Sequence, residues 1–173
     1  GGEIGYHGYN HQPLSPKSLD YKGVYSYNTW DESAMISAMK ELVRFNEQLF
    51  PNVEKSVYVP PSNVLSPEGR AVLTHEIPEV KTIASTYFPG DFAYAQEFEW
   101  AADGMVEQPR VISGGIIDDF MQLAAFSELN LHFVNSHFIH PDDPLDTDRG
   151  AELGWGTLKK NLEHYISWLK ESA

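Results

Sequence analysis

Cysteine is absent from all 173 residues, so no disulfide staples this chain and no thiolate can hold a metal. Any bound metal has to rest on histidine nitrogen and carboxylate oxygen. The absence leaves the compartment open, because many exported domains also lack cysteine. Basic residues are scarce: 12 Lys and Arg against 25 Asp and Glu give a formal net charge of −13. Nucleic acids and anionic membranes are bound by clustered Lys and Arg, so neither is expected as a partner. No apolar run approaches the length of a membrane span, so membrane insertion is not expected, and no signal peptide is visible. Repeats, low-complexity tracts and linkers are also missing. The length then fits one domain over residues 1–173, large enough to bury a core.

Aromatic residues are plentiful, with nine Tyr, nine Phe and four Trp. Exposed rings suit the apolar faces of sugars, a mild lean towards a carbohydrate partner. Along the chain, residues 12–29 read as a polar, turn-rich connection that could border a site. Asp31 to Phe50 predicts a helix capped by Asp31, with Met35, Met39, Leu42 and Leu49 on one face beside Ile36 and Val43, and Pro51 ends it. Ser56 to Val59 predicts a strand, and Ser66-Pro67 opens a helix to about Thr74. Strands are expected at Thr82–Phe88, Pro109–Ser113 and Leu131–Ile139, and helices at Gly115–Leu129 and Thr157–Lys170. Strands thus alternate with helices, the pattern of a parallel α/β architecture. Functional side chains in such folds sit at the C-terminal ends of strands. Three groups fall there: His7 with His11, the Pro60-Pro61 corner, and His137 with His140.

His7 and His11 stand four residues apart, a spacing at which two neutral imidazoles can share one divalent metal. Gly8 follows His7 where a zincin helix would carry its catalytic Glu, and Pro13 stops any helix close behind. The pair therefore belongs to a loop or a single turn after a strand. The residues alone leave two readings open, a pair of surface or packed histidines and a metal pair. Asp118 and Asp119 after Ile116-Ile117 offer a possible substitute carboxylate, or simply an acidic first helical turn. Asp142, Asp143, Asp146 and Asp148 lack the ligand order of a calcium loop and read as a solvated loop. Trp155, between two glycines, is either a sugar platform or a hydrophobic plug.

Gly1-Gly2-Glu3-Ile4-Gly5-Tyr6-His7-Gly8-Tyr9-Asn10-His11 resembles the second motif of the polysaccharide deacetylase family, the NodB-homology carbohydrate esterases. Tyr58-Val59-Pro60-Pro61-Ser62-Asn63 is similar to that family's groove-lining corner, with Val59 where the family often has Arg. Phe138-Ile139-His140-Pro141-Asp142 resembles its fifth motif. The family's first motif, an Asp pair, would lie upstream, and no counterpart of its fourth motif stands out. The resemblance implies a partial, distorted (β/α)7-type barrel whose N-terminal strands are absent, leaving open edges that favour self-association. It implies a metal, Zn2+ first, on His7 and His11, and an N-acetylated amino-sugar polysaccharide as substrate. Asn10, Pro60, Pro61 and Trp155 would line the groove, and His140, with His137 as runner-up, would protonate the leaving amine. The implied activity is metal-dependent removal of N-acetyl groups, outside the cytoplasm, with little turnover expected of this chain alone. Two alternatives are a carbohydrate-binding or scaffolding domain without catalysis, and a hydrolase of another C–N amide bond.

Overall fold

Asp31 opens the first helix, α1 (Glu32–Leu49), by accepting a hydrogen bond from the Ala34 amide at 2.9 Å. The computed structural model describes residues 2–16, 30–88 and 94–172; these fall into two compact units, 1–109 and 110–173, each with its own core. Residues 17–29, most of the turn-rich connection, lie outside the described residues. On α1, Met35 and Met39 are fully buried, and Ile36, Leu42 and Val43 pack half-buried against them. Leu49 keeps to that face, about 40° round the helix from Met35, but as the last residue of α1 it is exposed. Beyond the helix the buried Lys55 ammonium spends its three protons on Glu47 Oε1 and the Phe50 and Val53 carbonyls, at 2.7, 2.9 and 2.8 Å.

The strand β1 (Val57–Tyr58) leads to α2 (Pro67–Glu76), where the Ser66 hydroxyl accepts from the Gly69 amide at 2.9 Å and Pro67 takes the first turn. Then follow β2 (Thr82–Ala84), an antiparallel ribbon of β3 (Tyr87–Phe88) and β4 (Tyr94–Ala95), and a hairpin of β5 (Glu99–Trp100) with β6 (Val106–Gln108). The sheet runs β1-β2-β6-β5, parallel except for β5 at the edge, and Tyr6 extends it by bridging Tyr58 in parallel. Tyr6, Tyr58 and Ile83 lie in one register row and share a side of the sheet. They pack with Met35 and Met39 of α1 and Val72 and Leu73 of α2, so both helices cover that one side. Burying each such side chain contributes about 1.5–3 kcal/mol.

One strand expectation changes here, and one hairpin had not been expected. The apolar stretch Thr82–Phe88 is not one strand: Ser85 takes a left-handed backbone (φ 61) and splits it into β2 and β3. The β5–β6 hairpin carries no alternation that a pattern registers, since Glu99 and Trp100 are exposed while the charged Glu107 is buried.

In the second unit, β7 (Ile112–Ser113), α3 (Asp119–His132) and β8 (His137–Phe138) form a parallel βαβ turn, with Ile112 opposite His137. The expected strand over Leu131–Ile139 shrinks to two residues. The helix runs on to His132, and Phe133 stops it in a left-handed conformation (φ 59). Helix α4 (Gly154–Ser172) then buries Leu158 and Tyr165, leaving Ile166 exposed. Ile112, Ala125 and Tyr165 form the small core, with Met121, Leu162 and Trp168 packed on it. Among the described residues no helix is long and apolar enough to cross a membrane.

Candidate functional site

The parallel strands of the first unit end together, and that rim is where ligands sit in open α/β sheets. The Tyr6 amide donates to the Val57 carbonyl at 2.8 Å and the Val59 amide to the Tyr6 carbonyl at 2.9 Å. His7 and Val59 therefore leave the sheet side by side. His7 Nδ1 lies 2.8 Å from the Val59 carbonyl oxygen. A carbonyl only accepts, so Nδ1 carries the ring proton and Nε2 keeps its lone pair. Backbone carbonyls orient metal-binding histidines in this manner. The His11 ring stands edge-on to His7, centroids 4.8 Å apart, and both residues are exposed.

Gly8 makes this turn possible. Its φ of +72° suits glycine, and a Cβ there would lie 2.5 Å from Pro61 Cγ and 2.9 Å from the Gln12 carbonyl oxygen. The His7–His11 loop is thus pressed against the Pro60-Pro61 corner. The two loops have the same form. Each makes a single 3-10 turn (Tyr9–His11 and Pro61–Asn63), and the chains pair again at Leu14 and Leu65. Left-handed residues gather on this rim: Asn10, His11, Ser62, Asn63 and Ser85. Such backbone costs about 1–2 kcal/mol per residue without glycine, and it persists only where the surroundings enforce it.

A divalent ion shared by two imidazoles would need a nitrogen of each at about 2.0–2.1 Å. Among the described residues no group of three His, Cys, Asp or Glu forms a fuller ligand set. Neither Tyr6 nor Tyr58 supplies an acid–base group here. Burial, with the carboxylates of Glu79 and Glu47 nearby, pushes the Tyr6 hydroxyl up to about 12, and full burial raises Tyr58 further.

A polar network behind the rim escaped the sequence reading. The Arg70 guanidinium on α2 donates to buried Glu107 and, at 2.5 and 2.9 Å, to Asp103. The Gln96 amide nitrogen donates to the other Glu107 oxygen and, at 2.6 Å, to the Ile83 carbonyl, while its oxygen accepts from the Thr86 amide at 2.9 Å. Gln96 thus replaces the ladder on both sides of the Ser85 kink. The only signal in the sequence was a lone Glu inside Val106-Glu107-Gln108.

The remaining candidates lie in the second unit. His137 Nε2 meets the Gly114 carbonyl at 2.7 Å and its ring abuts Tyr165, whose hydroxyl donates to Asn135 at 2.7 Å. His140 follows the end of β8, part-exposed, its ring edge-on to Phe138 at 4.6 Å. Arg110 stacks over that same Phe138 ring at 4.6 Å, and burial lowers its pKa from the ordinary guanidinium value. Asp118 caps α3, accepting from the Met121 amide at 2.8 Å, and Asp119 is exposed in the first turn. Trp155 is exposed on the first turn of α4. The acidic loop is not simply solvated: Asp143 is buried, and Arg149 gathers Asp142, Asp143 and Asp146 at 3.2, 3.3 and 2.8 Å.

No curated protein and no solved structure matches the chain. One family model does, over residues 1–173, and it is not that of the polysaccharide deacetylases. The deacetylase resemblance is corrected accordingly. It rested on three short motifs, and a histidine pair at this spacing arises readily by chance among seven histidines. The chain belongs to the family described as "Uncharacterised protein conserved in bacteria (DUF2194)".

Proposed function

We propose that His7 and His11 bind a divalent metal, Zn2+ first, and that this metal serves the hydrolysis of an acyl C–N bond in a neutral, N-acetylated amino-sugar polymer. One observation carries the reading: the Val59 carbonyl fixes His7 with Nδ1 protonated, 4.8 Å in ring-to-ring distance from His11, on the C-terminal rim of a parallel sheet. When bound, the metal polarises the carbonyl and lowers the pKa of water. The chain's part is to present two oriented imidazoles, and the Gly8–Pro61 contact holds their loop in place. Exposed Asn10 borders the pair and is the proposed substrate contact, whereas Pro60 and Pro61, expected to line a groove, are buried beneath the loop and can only support it. The net charge of −13 disfavours polyanions, which supports a neutral glycan. A barrel-type wall belongs to the same proposal, supported by α1 and α2 covering one side of the sheet. An extracytoplasmic location goes with a polymeric substrate.

The test is Co2+ titration followed by its visible absorption, then acetate release from a partly N-acetylated glucosamine polymer. Wild type is expected to bind one equivalent, and His7→Ala or His11→Ala to weaken binding at least tenfold. Equal Co2+ binding by wild type and the double alanine variant sinks the metal site. Metal binding without acetate release from the polymer sinks the substrate.

A further inference from the structure

We infer that the exposed side of α3 is an interface between two copies of this chain, with the two helices antiparallel about a two-fold axis. Helix α3 carries apolar residues on every side, the pattern of a helix covered all round. Its inner side is covered: Ala125 is buried, and Met121 and Ala124 pack beside it in the core shared with Tyr165 of α4. Its outer side is not. At about 100° per residue, Phe120, Leu123, Ser127 and Leu131 form one stripe, and Asp119, Phe126 and Asn130 run along one border of it. Phe120 is 77% exposed, Leu123 62% and Leu131 69%. Just past the helix, Phe133 is 86% exposed on left-handed backbone (φ 59), a place that glycine ordinarily takes. A bulky ring held there in water costs a single chain twice, in backbone strain and in exposed apolar surface.

Three features select a second copy as the occupant. The first is charge. A chain of net charge −13 repels its own copies, so they associate only through a surface nearly free of charge. Of the stripe and its border, Asp119 alone is charged. The second is symmetry. An antiparallel two-fold keeps the borders of both helices on the same edge of the interface. With the axis level with Ala125, Phe120 meets Leu131 of the second copy and Leu123 sits over the small Ser127. Asp119 then accepts from Asn130 of the second copy, whose amide nitrogen has one hydrogen left after its bond to the Phe126 carbonyl at 2.7 Å. The two Asp119 residues stay about 16 Å apart along the helices. The third is area. At about 150–250 Å² per buried aromatic side chain, Phe120 and Phe133, with Leu123, Leu131 and part of Phe126, supply most of the roughly 800 Å² per partner of a standard interface.

The test is sedimentation equilibrium of the 173-residue chain, taken up to about 100 µM. Wild type is expected to be a dimer. Phe120→Lys with Leu123→Lys, both on the exposed stripe, should weaken it at least 100-fold while leaving the far-ultraviolet circular dichroism unchanged. A wild-type monomer overturns the interface, whether the stripe then resists alkylation in Leu123→Cys, and so is covered within the chain, or carries the protein onto neutral phosphatidylcholine vesicles. A dimer that survives both lysines overturns it too. Because the chain has no native cysteine, two single-cysteine variants check the arrangement without breaking it. Asp119→Cys mixed with Asn130→Cys should form a disulfide between copies under mild oxidation, whereas Asp119→Cys alone should not, since bridged Cα atoms lie within about 7 Å. Cross-linking of Asp119→Cys alone as fast as the mixture overturns the antiparallel pairing. Neither measurement involves Co2+, so the outcome is independent of that for His7 and His11.

Discussion

Replacing Arg70 by Met tests the network that stands behind the site. Glu107 is 1% exposed, and its carboxylate is neutralised by Arg70 and hydrogen-bonded by Gln96. Met fills much of the Arg stem's volume but leaves a buried carboxylate with only an amide for company. Removing one partner of a buried ion pair costs about 3–5 kcal/mol. The other contact, to Asp103, adds little, because that carboxylate is a third exposed and such pairs contribute under about 1 kcal/mol. At roughly 2–4 °C per kcal/mol for a chain of this size, the melting temperature should fall by about 6–20 °C. Adding Glu107→Gln removes the stranded charge and keeps an acceptor for Gln96, so the double variant should lie within about 1.5 kcal/mol of wild type. Urea unfolding followed by far-ultraviolet circular dichroism gives both numbers, provided the slopes agree. A cost below about 1 kcal/mol for Arg70→Met, or no rescue by Glu107→Gln, would refute the reasoning.

Gly69→Ala should destabilise the first unit by about 1–3 kcal/mol, although alanine is the better helix former. Its Cβ would stand 2.1 Å from the Leu14 carbonyl oxygen, and the same urea assay shows the sign. Asp103 gives a pH signature. Its hydrogen bonds to Arg70 hold the carboxyl below the ordinary carboxylate range. A depressed folded-state pKa means stability that is present above the unfolded value, about 3.9, and lost as pH falls through the folded one. Urea midpoints of wild type and Asp103→Asn should therefore differ above pH 4 and converge below it. A constant gap from pH 2 to 5 would contradict this.

The helices were legible and the strands largely were not. Asp31 and Ser66 cap their helices as the residue order predicts, and the apolar spacing of Met35 and Met39 survives as a buried face. Strands of two or three residues carry too little alternation to register. Their limits are set by contacts remote in sequence: Gln96, ten residues beyond Thr86, holds the kink at Ser85. The histidine pair was visible as a spacing, but the group that orients His7 is a backbone carbonyl 52 residues away. No side-chain pattern announces a carbonyl.

Composition by itself determined that no thiolate can hold a metal here, since that follows from counting cysteines. Local order determined the caps and the Pro stops, because those bonds span three or four residues. Tertiary structure alone decided that the His7 loop lies against Pro61 and that Glu107 is buried on Arg70. These outcomes depend on which surfaces exclude water, and exclusion is a property of the packed chain, not of any stretch of it.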